Sequence, residues 1–183
     1  MRPVKCVLLG DSAVGKTASL MTYSDGIFPS KVPSNYETYS MNVVVDGCPI
    51  NLGLWDSFGE DRISSFATSQ ADVFVVMFSI VSRSSFGNAQ NKWIPELRES
   101  FPDVPILLVG SKIDLREVED FPHIPREEAL SLSDKLNVLY YECSALQNKG
   151  LKEVFDAAVR AVLTPKKKPL PPPPPTNKCC QLL

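Results

Sequence analysis

Between an apolar run, Val4–Leu9, and a stretch of helical character, Ala18–Met21, the chain places Gly10-Asp11-Ser12-Ala13-Val14-Gly15-Lys16-Thr17. This is the G-x-x-x-x-G-K-[ST] pattern in the setting that gives it meaning: a strand, a glycine turn, then a helix start. The two glycines let the backbone wrap a phosphate chain, so that successive N–H groups point inward as an anion nest. The opening helix adds its positive dipole end. Lys16 would reach the outer phosphates, and the Thr17 hydroxyl would hold Mg²⁺. Gly10, Asp11, Ser12, Ala13, Val14, Gly15, Lys16, Thr17 and Ala18 are therefore the candidate phosphate-binding residues. A glycine-rich turn before an ordinary helix is the plain alternative. A nucleoside triphosphate is the expected ligand.

At 183 residues the chain is expected to hold one domain with a full-sized core. The net charge of −2 hides an asymmetry: from Thr164 onward there are four lysines and no acid, which leaves −6 on the remainder. An acidic body on a basic, proline-rich tail argues against nucleic acid and toward an anionic membrane surface. The five cysteines (Cys6, Cys48, Cys143, Cys179, Cys180) are odd in number and lack framework spacing, which favours reduced thiols. The chain enters a strand at once, so no signal peptide is expected. The longest apolar run, Val73–Phe78, is too short to span a bilayer.

Gly26–Thr38 reads as a loop, Tyr39–Val45 as an alternating strand, Asp46-Gly47 as a tight turn and Pro49–Trp55 as the returning strand. Asp56–Ala71 is polar and irregular, expected to end a strand and begin a mobile segment. Val73–Ser79 and Ile106–Gly110 read as strands buried on both faces. Ser84–Arg98 reads as helix, Pro125 suits the first turn of a helix reaching about Leu136, and Leu139–Glu142 reads as a short strand. Leu151, Val154, Phe155, Ala158, Val159 and Val162 share one face of a final helix. This alternation predicts an α/β domain over residues 1–164, with a mostly parallel six-stranded sheet, one antiparallel hairpin strand and helices on both faces. Residues 165–183 are expected to form an extended tail. Ligands in such sheets bind at the carboxyl ends of the strands, where the first loop already sits.

Three more stretches follow buried strands. Asp56-Ser57-Phe58-Gly59 can offer a carboxylate to Mg²⁺ through water and a glycine N–H to the terminal phosphate. In Ser111-Lys112-Ile113-Asp114, the aspartate can accept from guanine N1–H and its exocyclic amine, a pair adenine does not supply; a bidentate base contact is worth about 1–3 kcal/mol of discrimination. In Cys143-Ser144-Ala145-Leu146, a backbone N–H can meet the guanine oxygen. A surface lysine and aspartate would be the default reading of Lys112 and Asp114 taken alone. In this order, each at a strand end, the motifs reinforce one another.

Together GDSAVGKT, WDSFG, SKID and ECSAL resemble the small GTPases, from about Val4 to the C-terminus. Within that group VDG–PINLGLWD, ADVF, KWIPEL, LLVGSKIDLRE and ECSAL–KGLKEVFDAAVRAVL resemble the Rho branch. The resemblance implies a monomeric guanine-nucleotide switch that binds GTP, GDP and Mg²⁺ and signals to the actin cytoskeleton and cell polarity. It implies exchange factors, activating proteins, a dissociation inhibitor, and effectors meeting Asn35–Tyr39 and Asp56–Ala71. Phe28 matches the aromatic that stacks on the base, Ser34 stands where a threonine binds Mg²⁺, and Trp55 matches a position that helps select exchange factors. The implied site thus comprises Lys16, Gly59 and Glu60 for catalysis, Thr17, Ser34 and Asp56 for the metal, and Lys112, Asp114, Ser144, Ala145 and Leu146 for the base.

The chain also departs from that branch. Ser12 replaces a glycine where an activating protein inserts its arginine, and Glu60 stands where a glutamine orients the attacking water. That segment is a few residues short, so the glutamine is either replaced or deleted. Ionised glutamate accepts from water but does not donate to the transition-state oxygen. Phe58 replaces a small residue, the first switch is one residue short around Lys31-Val32, and a tyrosine that covers the nucleotide is absent. Asn35 and Tyr36 differ from the usual effector pair, and Glu117–His123 stands in for a longer helical insert, shrunk to a loop. An activating arginine supplies roughly 10³–10⁵ in rate, or about 4–7 kcal/mol. The expectation is tight GTP binding with slow hydrolysis; a GTP-bound scaffold without useful turnover, and ordinary cycling through a re-placed polar group, are the alternatives. A P-loop kinase or ATPase would need adenine specificity, against which Asp114 argues.

Cys180-Gln181-Leu182-Leu183 fits a C-a-a-X box whose terminal leucine favours geranylgeranyl. One lipid anchors weakly, so Lys166-Lys167-Lys168, Lys178 and a palmitoylated Cys179 are the expected second signal, at the cytoplasmic face of the plasma membrane with a cytosolic pool. Leu170–Pro175, after Lys166 and with Pro169 and Pro172, is either a stiff spacer or an SH3 ligand. His123, the one histidine, is expected to be a solvated loop residue, and Trp93 and Phe155 are expected in the core.

Overall fold

The computed structural model describes residues 1–32, 38–57, 68–118 and 121–164. Within them six strands form one sheet in the order β2-β3-β1-β4-β5-β6. Central β1 (Arg2–Leu9) runs parallel to β3 (Cys48–Asp56) on one side and β4 (Val73–Ser79) on the other. β5 (Ile106–Ser111) and β6 (Leu139–Glu142) continue the parallel run. The edge strand β2 (Thr38–Val45) is antiparallel to β3. Asp46 and Gly47, with φ of 50° and 78°, make the left-handed two-residue turn that suits a twisted hairpin.

Alternation along the central strands decides what covers each face. Val4, Cys6 and Leu8 pack with Val73, Val75, Met77, Leu107 and Val109 beneath α1 (Lys16–Asp25) and α5 (Leu151–Leu163). Val7 and Leu9 pack with Phe74, Val76, Phe78, Ile106 and Leu108 on the opposite face. That face is covered by α2 (Arg83–Asn88), a π-helical turn (Ala89–Trp93), α3 (Ile94–Ser100) and α4 (Arg126–Leu136). Leu151, Val154, Phe155, Ala158 and Val159 are buried on α5, as their spacing predicted. Each large apolar side chain fully buried in this way stabilises by about 1.5–3 kcal/mol. The loop after β1 leaves the sheet where the strand order reverses, the usual crevice of a doubly wound fold.

The helix expected over Ser84–Arg98 is interrupted by the π-turn, and it runs from Arg83 to Ser100. Pro95 supplies the reason: it has no N–H for the Asn91 carbonyl, and in an unbroken α-helix its ring would press on that carbonyl. Pro125 precedes α4 as its N-cap rather than lying in its first turn, its φ of −60° meeting ψ of 146°. Thr38 opens β2 rather than closing the preceding loop, and β3 and β5 each reach one residue further than expected, to Asp56 and Ser111. Glu117 closes a 3₁₀ helix, Ile113–Glu117, while Phe121–His123 carry no regular structure. Among the described residues, no helix is long and apolar enough to cross a membrane.

Candidate functional site

Parallel register sets the strand ends in two groups: β1 and β3 end together, with Leu8 pairing Asp56, while β4, β5 and β6 run on past the Leu9–Val76 pair, with Ser79 pairing Ser111 and Gly110 pairing Glu142. From these ends the chain delivers Gly10–Thr17, Asp56, Ser111–Asp114 and Cys143–Leu146 to one side of the sheet.

The first loop turns on three positive φ angles, 138° at Gly10, 61° at Ala13 and 101° at Gly15. A β-carbon on Gly10 would sit 2.1 Å from the Met77 carbonyl oxygen, so only glycine passes. Side chains hold the loop carbonyls. Lys16 Nζ donates to the Gly10 and Asp11 carbonyls, each at 2.8 Å, and Lys112 Nζ to the Ala13 carbonyl at 2.8 Å. Ser111 Oγ lies 2.6 Å from the Val14 carbonyl and 2.9 Å from that of Phe78, sharing its one proton between them. In a trans peptide, each carbonyl and the next N–H point opposite ways, so the amides that follow Ala13 and Val14 point away from Lys112 and Ser111. Ser12 is exposed at this loop.

Lys16 is 6% exposed, and burial pulls its pKa below the ordinary lysine value, while the carboxylates of Asp56 and Asp11 pull the other way. A buried ammonium of this kind is stabilised by an anion entering beside it. Thr17 Oγ1 donates to Asp56 Oδ2, and both residues are buried. A hydroxyl paired with a carboxylate is a hard-oxygen donor set that fits Mg²⁺, which takes one or two protein oxygens and completes its shell with phosphate and water. Among the described residues, no cluster of three or more His, Cys, Asp or Glu suggests another metal centre.

Across the site, Ser144 Oγ donates to Asp114 Oδ1 on the 3₁₀ helix. The Gln147 N–H in turn donates to Ser144 Oγ at 3.1 Å. Reciprocal 2.9 Å bonds between Ser144 and Lys149 close the turn that carries Ala145 and exposed Leu146. The Ile113 N–H reaches the Cys143 carbonyl at 3.3 Å, and Asn148 Nδ2 reaches the Gly26 carbonyl at 3.3 Å. That second bond brings the loop bearing Phe28, 40% exposed, against the same turn. Lys112 has a φ of 61°, and its bond to Ala13 joins the loop after β5 to the loop after β1.

Beneath these loops, Arg116 donates to both Glu142 oxygens at 3.0 and 2.7 Å, Arg126 adds a bond at 3.3 Å, and Tyr140 Oη donates at 2.7 Å. Burial alone would raise the Glu142 pKa, but the bonds from Arg116 and Tyr140, with the charges of Arg116 and Arg126, leave it lowered. Burial, then the bond to Glu142, drives Tyr140 upward. Burial likewise pushes Cys143 up to about 12, so that thiol stays protonated within the core.

The geometry therefore gathers Gly10–Ala18, Asp56, Lys112, Asp114, Ser144, Ala145 and Leu146 around one crevice, with Phe28 on its border. Ser34, Phe58, Gly59, Glu60, Cys179 and Cys180 lie outside the described residues, as do Asn35–Glu37, residues 60–67 and the tail. His123 is exposed, with Nδ1 3.2 Å from the Phe121 carbonyl. Trp93 is 4% exposed and Phe155 1%, as expected of core residues. Yet Trp93 Nε1 also donates to Asp11 Oδ1 at 2.8 Å, beside Asn88 Nδ2 on Oδ2 at 2.7 Å. Sequence reading missed both contacts, and no local signal links residues 77 and 82 positions away to Asp11.

A family model described as the Ras family matches residues 5–164, which spans all six strands from the fourth residue of β1 onward and every element of the crevice. By sequence and by fold, this chain belongs to the Ras family of small GTPases.

Proposed function

We propose that this chain is a Rho-type switch that binds GTP and GDP with Mg²⁺ and hydrolyses GTP slowly. The observation that carries the reading is one crevice joining three chemistries: a lysine-capped loop, the buried Thr17–Asp56 pair and the Asp114–Ser144 pair. The loop amides and Lys16 bind the phosphate chain, Asp114 selects guanine, and Ala145 offers its N–H to the guanine oxygen. Phe28 stacks on the base. Mg²⁺, held by Thr17, Asp56 and Ser34, neutralises charge on the outer phosphates when bound. Ser12, exposed on the loop, obstructs an incoming arginine, and Glu60 orients water poorly because an ionised carboxylate does not donate.

The Rho-like segments support signalling to the actin cytoskeleton and cell polarity, with exchange factors, activating proteins, a dissociation inhibitor and effectors meeting Asn35–Tyr39 and Asp56–Ala71. Residues 165–183 act as a basic, proline-rich tether, geranylgeranylated at Cys180 and palmitoylated at Cys179, that holds residues 1–164 at the cytoplasmic face of the plasma membrane. Identifying the nucleotide that co-purifies tests the core of this reading. GDP fits a cycling enzyme, GTP fits a hydrolysis-deficient scaffold held in one state, and ATP overturns both.

A further inference from the structure

Asp11 sits in the phosphate loop with a side chain that would ordinarily be a liability. A short carboxylate readily accepts from a backbone N–H two residues on, which in this loop would fill the anion nest from within. Its charge would also oppose an incoming phosphate chain. In the structure both oxygens are occupied elsewhere. Asn88 Nδ2 donates to Oδ2 at 2.7 Å and Trp93 Nε1 to Oδ1 at 2.8 Å.

The two donors are five residues apart, and α-helical spacing would set them about 140° apart around the axis. Asn88 caps the π-turn Ala89–Trp93 and Trp93 closes it, and the wider i→i+5 turn brings the two toward one face, where both reach Asp11. The Trp93 ring is fixed in the core with Phe86, Ala89 and Ile94, and Lys92 lies over it at 4.7 Å from the centroid. One donor is thus rigid and buried, while the other is exposed at the helix surface.

We propose that the π-turn is a latch for the phosphate loop: Asn88 and Trp93 are positioning residues that hold the Asp11 carboxylate on the helix and out of the anion nest. The inference rests on the nucleotide reading above. Both donors are uncharged, so the latch binds the carboxylate without placing a second cation to compete with Lys16 for the ligand. Releasing it gives the carboxylate access to the loop amides and speeds the loss of nucleotide.

Dissociation of a fluorescent N-methylanthraniloyl GDP from the full chain with Mg²⁺ tests this, in Asn88→Ala, Trp93→Phe, Asp11→Ala and the combined variants. Trp93→Phe keeps most of the ring and removes the donor; Asn88→Ala changes an exposed side chain and leaves the core intact. Each of these two is expected to accelerate release by about ten- to a hundredfold, the loss of one hydrogen bond to a charged group. In the Asp11→Ala background, neither donor substitution should add anything further. That coupling is a signature general loosening of the helix would not give. A wild-type protein that takes up the nucleotide, with Asn88→Ala releasing it at the wild-type rate, overturns the latch alone. So does an Asn88→Ala effect that persists undiminished without Asp11. A wild-type protein that takes up no guanine nucleotide overturns the nucleotide reading itself, and the latch with it.

Discussion

Arg116 and Glu142 meet head to head, Nη1 on Oε2 at 3.0 Å and Nη2 on Oε1 at 2.7 Å, joining the 3₁₀ helix of Asp114 to the strand that leads into Ser144. The carboxylate is 7% exposed, and Arg126 and Tyr140 Oη share its oxygens. The two loops expected to read the base are thus braced from below by one residue.

Glu142→Gln is expected to cost about 1.5–3 kcal/mol of stability, the range for hydrogen bonds to a charged group. Its effect depends on pH. The folded pKa of Glu142 lies below the unfolded value of about 4.3, so the wild-type advantage is complete above that value and fades as pH falls through the lower folded one. Urea unfolding of both proteins between pH 7 and pH 3 checks this: the difference should be largest at neutral pH and shrink in acid.

Two glycines should tolerate no side chain, for the same reason. A β-carbon on Gly10 would strike the Met77 carbonyl oxygen at 2.1 Å, and one on Gly150 the Glu142 carbonyl oxygen at 2.2 Å, both at positive φ. Either change to alanine is expected to destabilise by about 1–3 kcal/mol or more, since the neighbour is backbone and cannot rotate away. Gly87→Ala, which meets nothing within 4 Å, serves as the control in thermal unfolding.

Thr17→Ala removes the hydroxyl that donates to Asp56. Mg²⁺ should then add little to the thermal stability of the GDP-bound protein. In the wild type, a metal at a hundred times its dissociation constant adds about 2.7 kcal/mol. For a chain of this length that corresponds to a shift of roughly 5–11 °C. Melting curves with Mg²⁺ and with chelator give the comparison.

Asp114→Ala is expected to lower the preference for GTP over ATP by about 1–3 kcal/mol, the value of a bidentate base contact. Ser144→Ala should do the same to a smaller degree, because Ser144 orients Asp114 rather than the base. Competition between the two nucleotides at equilibrium measures it; an unchanged ratio in Asp114→Ala would count against the guanine assignment.

Single-turnover hydrolysis should be slow, with little acceleration by a Rho-type activating domain, and Ser12→Gly should recover part of the response. The full arginine effect is about 10³–10⁵ in rate. Strong acceleration of the unmodified chain would remove Ser12 as an obstruction.

Much of this was written locally. The Gly10–Thr17 pattern, the unbroken apolar runs of β4 and β5 and the face of α5 depend on neighbours a few residues apart, so spacing alone placed the phosphate loop and an α/β sheet. Asp114 and Ser144 were legible as motifs, and register then set them within bonding distance. What stayed hidden depends on contacts between distant segments. The π-turn follows from where Pro95 falls within a packed helix, and the Asp11 contacts from helices folding over the central strand 77 and 82 positions later. The bonds from Lys112 and Ser111 to the loop carbonyls also cross nearly a hundred residues. Short-range chemistry named the groups that can meet a nucleotide; sheet order and helix packing decided which side chains hold those groups still, because such partners meet only after the chain has closed on itself.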